Sequence, residues 1–240
     1  MKYADISSVT RLSDTAADSV INRSAEVAAL QSHLEALREH YADLRRLGDR
    51  PKELADVRLQ MARTLVGLER SKEAWGPARK SLDVFIAEED WESAADACDV
   101  LFQCGQAASL AALGQGIWLA VTYPIDPDLT VELLTHVVDE TPDDADGAAV
   151  AATTALFIAD IRATGNQRDN LMFFASQILG RVARRHGGVQ TQAEFDLWMD
   201  RLELREPHKF LVRLRNVVDV LVQDDWWFDR DALQASLPSN

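Results

Sequence analysis

Glu132 and His136 stand four positions apart in an apolar-periodic segment, which puts a carboxylate and an imidazole on one helical face. Such a pair can share a proton or offer two ligands to an ion. A carboxylate di-iron bundle needs a duplicated Glu-x-x-His motif, however, and no second pair of this kind is visible. His33 and His40 lie two helical turns apart, about 10 Å, too far to share one ion. Asp143-Asp144-Ala145-Asp146-Gly147 has the composition of a calcium loop. Pro142 falls at its first ligand position and Thr153 at its twelfth, where a bidentate glutamate is needed, so these acids read as helix caps. Gly114-Gln115-Gly116 follows no strand and is a weak phosphate signal. Cys98 and Cys104, spaced C-x5-C, match no zinc or redox pattern and read as reduced, half-buried small hydrophobes. No serine or cysteine sits in a recognisable nucleophile context. Catalytic residues, a metal and a cofactor are therefore not expected. A site assembled from Glu132, His136 and Asp160 is kept as the second reading.

The elements that would position these groups are helical. Ala and Leu are abundant, Gly and Pro fall between apolar-periodic segments, and long β-branched alternating runs are missing. At 240 residues and 47% hydrophobic content the chain can build a substantial core. All-α is the expected class. A net charge of -14 repels phosphate backbones and anionic lipid, so nucleic-acid and membrane-surface roles are not expected. Without a continuous apolar run at the N-terminus or a spanning segment, the expected compartment is the cytoplasm.

In chain order, residues 1–23 read as a polar leader, loose or disordered, with a short docking helix as the alternative. Residues 24–47 read as an amphipathic helix capped by Ser24, with Val27, Leu30, Leu34, Leu37, Tyr41 and Leu44 on one face. Helices are expected over 52–68, 72–87, 91–103 and 107–122, and Pro124 closes that series. Further helices are expected from Asp126 or Asp128 to Val138, then over 148–163, 170–185, 192–202 and 207–222. Residues 24–223 thus form one helical-repeat domain, and 224–240 an aromatic-acidic tail.

Over 53–124 small and apolar landmarks recur 36 positions apart. Ala62, Leu65, Ala74, Ala78 and Leu82 match Cys98, Leu101, Leu110, Gly114 and Trp118. The first set resembles a tetratricopeptide repeat, with Ala62 and Ala74 at that family's two small positions and Leu65 at the large position between them. The second copy departs from it at Cys98 and Leu110. Both copies lack the family's early Trp, since Arg58 and Ala94 stand there, and Ile86 replaces its closing proline. The resemblance covers some 30% of the chain. It implies stacked antiparallel helical hairpins, a TPR-like α-solenoid, with a less regular C-terminal part. It also implies a protein-binding groove lined by Asp56, Leu59 and Arg63, then Glu92, Ala95, Asp99 and Phe102. One arginine among three carboxylates makes a poor clamp for a C-terminal carboxylate.

Charge is distributed unevenly. Positions 81–161 hold 16 Asp and Glu and no Lys or Arg, whereas 1–80 carry 14 basic and 12 acidic residues and 162–240 carry 11 of each. The net charge therefore sits in the middle third, either as a solubilising surface or as a face for a partner protein with a basic surface. Arg181, Arg184, Arg185, Lys209, Arg213 and Arg215 are candidate counterparts for self-association into a homo-oligomer. Trp226 and Trp227, with Phe228, cap a core or anchor a partner. The sequence points to an interaction module, an adaptor or an assembly or regulatory factor of a larger complex.

Overall fold

Alanines and glycines bring the helices of this protein together. The computed structural model describes the backbone of residues 7–237 and the side chains of residues 23–237. Among the described residues there are eleven helices and no strand, so the all-α expectation holds. They are α1 (Ser7–Leu47), α2 (Pro51–Gly67), α3 (Ser71–Ala87), α4 (Trp91–Gln103), α5 (Ser109–Thr122), α6 (Pro127–Glu140), α7 (Gly147–Arg162), α8 (Gly165–Gly187), α9 (Gln192–Arg201), α10 (Pro207–Val222) and α11 (Arg230–Ala235).

The leader expected over 1–23 runs as helix from Ser7 onward, continuous with the amphipathic segment; residues 1–6 lie outside the described ones. Leu37 and Leu44 of α1 pack on Val57 of α2. Ala62, Ala74 and Ala78 are fully buried where α2 meets α3, because a methyl group there lets two backbones approach closely. Glu69, with a φ of 60°, makes the left-handed turn between them, and Glu89 does the same after α3.

Gly114 and Gly116 serve packing on opposite sides of α5. A methyl group on Gly116 would meet Cβ of Cys98 on α4 at 2.8 Å. One on Gly114 would meet Cγ2 of Val222 on α10 at 2.7 Å. Gly165, at a φ of 53°, reverses the chain and α8 begins at once, five positions before the expected start.

Helices pair in chain order, α2 with α3, α4 with α5 and α6 with α7. The first members, α2, α4 and α6, touch one another in succession and α6 touches α8. The backbones of the second members, α3, α5 and α7, do not come close to one another; α10 lies against both α5 and α7. Helices α2, α4, α6 and α8 thus follow one another along one side, termed the inner side, while α10 covers α5 and α7 on the other.

The internal repeat has a different register from the one the landmarks suggest. Helices α2 and α4 end 36 positions apart, at Gly67 and Gln103, but α3 and α5 begin 38 apart, at Ser71 and Ser109. The loop 104–108 is two residues longer than 68–70 and absorbs the difference. Ala74 consequently corresponds to Ala112, fully buried like it, while Leu110 is 46% exposed. A surplus of two residues in a turn cannot be seen in the spacing of apolar positions alone.

Candidate functional site

Two rows of side chains cross the inner side at an interval of 36 positions, a spacing set by the shared register of α2, α4 and α6. Asp56, Glu92 and Asp128 form one row; Gln60, Asp96 and Glu132 form the other, one helical turn further on. Five of these six positions carry carboxylates. The helices are held in place at their starts. Asp90 caps α4 by accepting from the Ser93 N–H at 3.2 Å and its hydroxyl at 2.9 Å, and Asp126 caps α6 by accepting from the Asp128 N–H at 2.8 Å.

Between α4 and α6 the rows open into a cleft of about 350 Å³ lined by Glu92, Asp96, Asp126, Asp128 and Glu132. Between α6 and α8 lies a second, of about 520 Å³, lined by Asp128, Glu132, His136, Asp139 and Phe174 among others. Phe174 is 48% exposed, so an aromatic face stands beside the carboxylates. Arg63 and Lys52 are basic groups on the α2–α4 side, ion-paired with Asp96 and Asp90 respectively. Burial would lower the Arg63 pKa, but the Asp96 carboxylate with Asp99 and Glu132 nearby raises it. Burial pushes the Asp56 carboxyl up, with Lys52 opposing and Asp90 and Glu53 adding to the rise.

Beneath the rows sits Asp99, 1% exposed. Its Oδ1 lies 3.0 Å from Nε2 of His136 on α6, and its Oδ2 accepts from the Gln103 amide at 2.5 Å. Phe102 packs on the imidazole with ring centroids 4.6 Å apart. Glu132 stands one turn before His136, and one ligand atom from each of Asp99, Glu132 and His136 lies within 4.8 Å of the others. Burial would lower the His136 pKa, yet the Asp99 hydrogen bond and the charges of Asp99, Glu132 and Asp139 outweigh it and raise it. The Glu132 carboxyl is raised as well, by burial first and then by the Asp99 charge, against the pull of His136 and Arg63.

Comparison with known protein families, with curated proteins and with solved structures finds no match.

The residues expected to line a groove divide into three groups. Glu92 lines the cleft between α4 and α6, Arg63 is ion-paired with Asp96 of that cleft, Asp99 is buried against His136 with Phe102 packed on the imidazole, and Asp56 is half-buried on α2. Leu59 and Ala95, 36 positions apart, are 5% and 0% exposed and belong to the core, because that register position points between helices. Trp226 and Trp227 lie elsewhere, half-buried against the α3 and α5 side. Trp227 meets Trp75 edge-on at 6.0 Å, Trp226 meets Trp118 at 6.0 Å, and Arg79 lies over the Trp227 ring. Gln115, wholly buried, accepts from the Trp227 N–H at 2.8 Å, so this aromatic segment packs as a cap on the core.

Asp160 is ion-paired with Arg168 and is not among the residues around His136; Asp99 takes the place expected for it. The basic counterparts mostly have internal partners. Arg181 pairs with Asp139 at 3.0 Å, Arg185 with Asp143 at 3.4 Å, and Arg213 with Asp146 at 2.6 Å. Both cysteines are buried and free, and burial pushes the Cys104 thiol up to about 11, which makes it a poor nucleophile. No described helix is long and apolar enough to cross a membrane.

Proposed function

We propose that this chain is a protein-interaction module, a TPR-like stack of helical pairs whose inner face takes a basic segment of a partner protein, as an adaptor or assembly factor in the cytoplasm. The observation that carries this reading is the repeated carboxylate row, Asp56, Glu92 and Asp128 beside Asp96 and Glu132, spaced by the repeat itself. A surface of one sign attracts the opposite sign at a distance and rejects partners of its own sign. Phe174, exposed beside Asp128 and Asp139, offers an aromatic face to a lysine or arginine side chain. Capture from a native extract, with chemical cross-links mapped by mass spectrometry, tests it. Cross-links from a basic segment to α4 and α6, abolished in Asp96→Lys/Glu132→Lys, support the reading; cross-links confined to α9–α11 contradict it.

A second reading, a small-ligand site or an all-α enzyme centred on Glu132 and His136, is favoured by one observation. A carboxylate as buried as Asp99, held against an imidazole beside an open cleft, is an arrangement common at functional sites.

A further inference from the structure

We propose that Asp99, Glu132 and His136 form a binding site for one divalent transition-metal ion. The three donors come from two helices, and one atom of each already lies within 4.8 Å of the others. Ligands around a four-coordinate ion with bonds of about 2.0–2.2 Å stand roughly 3.3–3.6 Å apart. Asp99 Oδ1 and His136 Nε2, at 3.0 Å, are close to that spacing, and only the exposed Glu132 carboxylate has to swing inward.

Two features set this group apart from an ordinary cluster of surface acids. Its central carboxylate is 1% exposed and held from behind: Gln103 donates to Oδ2 and leaves Oδ1 directed at His136. The imidazole is packed as well, by the Phe102 ring tilted at 43° against it. Glu132 makes neither a hydrogen bond nor an ion pair with another side chain among the described residues, so no competing partner must be displaced. Arg63, the nearest cation, is already bound to Asp96.

Two carboxylates and a neutral imidazole balance a dipositive ion. The mixed nitrogen and oxygen set suits zinc, cobalt or manganese better than magnesium or calcium, which favour oxygen alone. The Asp99–His136 hydrogen bond is exchanged for two metal bonds, its proton leaving to solvent or moving to Nδ1, and Glu132 and His136 also line the cleft between α6 and α8, from which water or a ligand atom can enter. The site stands on its own geometry and does not require the basic-partner reading.

Isothermal titration of the full chain with zinc, after treatment with a chelator, tests the proposal. One ion should bind per chain, and Glu132→Gln and His136→Gln should each weaken binding at least about tenfold while circular dichroism stays unchanged. The exposed Glu132 position keeps the test interpretable even where the change at His136 disturbs its contact with Asp99. A wild-type chain that takes up no zinc overturns the proposal. So does zinc binding that is equally tight in both variants, since the ion would then sit elsewhere, for example on His33 or His40.

Discussion

The Asp99 carboxylate and the His136 imidazole meet at 3.0 Å across the boundary between α4 and α6, 37 positions apart in the chain. Asp99 is buried, and its two carboxyl oxygens are met by this contact and by the Gln103 amide. Removing one member of such a set costs more than the bond itself, because the other is left without a partner in a poorly solvated place. Asp99→Ala should therefore lower stability by about 1–3 kcal/mol in urea unfolding, and Asp99→Asn, which retains the shape and one acceptor, should lower it less.

A second long-range bond fixes the C-terminal segment. Gln115 accepts from the Trp227 N–H, and its amide reaches the Asp225 carbonyl at 3.4 Å. Gln115→Leu should cost about 1–3 kcal/mol and shift tryptophan emission to the red as Trp226 and Trp227 loosen. Deleting 225–240 should lower the melting temperature further, as a lost cap does; unchanged melting would show that the aromatic residues are not part of the core.

Two glycines in helix interiors should respond in opposite directions to alanine. Gly116→Ala forces a methyl group against Cβ of Cys98 at 2.8 Å and should destabilise by about 1–3 kcal/mol. At Gly180 the nearest atom is the flexible end of Arg184 at 3.6 Å, so Gly180→Ala should stabilise by about 0.5–1 kcal/mol. Paired thermal melts of the two variants check the sign of each change.

Acid stability should depend on the cap of α4. Burial pushes the Asp90 carboxyl up, but Lys52, at 2.7 Å, and the Ser93 N–H and hydroxyl outweigh it and hold it below the usual carboxylate range. A carboxyl lowered in the folded chain contributes stability that is present above its unfolded pKa of about 3.9 and lost as pH falls through the folded value. Asp90→Asn keeps a competent cap and removes the charge, so the loss of stability below about pH 4 should become shallower. A variant with the wild-type acid limb would show that Asp90 does not supply it.

Helix type and most boundaries could be read from apolar periodicity, and the close helix contacts from Ala62, Ala74 and Ala78. The repeat of 36 positions holds for α2, α4 and α6 and fails by two residues for α3 and α5, because loop length leaves no mark on hydrophobic spacing. The acidic middle was visible as composition, and Asp56 and Glu92 as equivalent groove positions. That Asp128 continues their row follows only once α6 is placed beside α4. Glu132 and His136 were visible as a pair; Asp99 was noted as a groove residue, and its contact with His136 depends on packing between helices. Leu59 and Asp160 misled for the same reason: the face a helical residue presents is decided by the neighbouring helices.

The central claim is that the inner carboxylate rows attract a basic partner. Fluorescence anisotropy of a labelled lysine-rich peptide, titrated with the full chain at about 0.05 M and about 0.3 M salt, tests it most directly. Binding should weaken at least about tenfold at the higher salt, vanish in Asp96→Lys/Glu132→Lys, and be absent for a glutamate-rich peptide. Binding that ignores both salt and charge reversal would contradict the account.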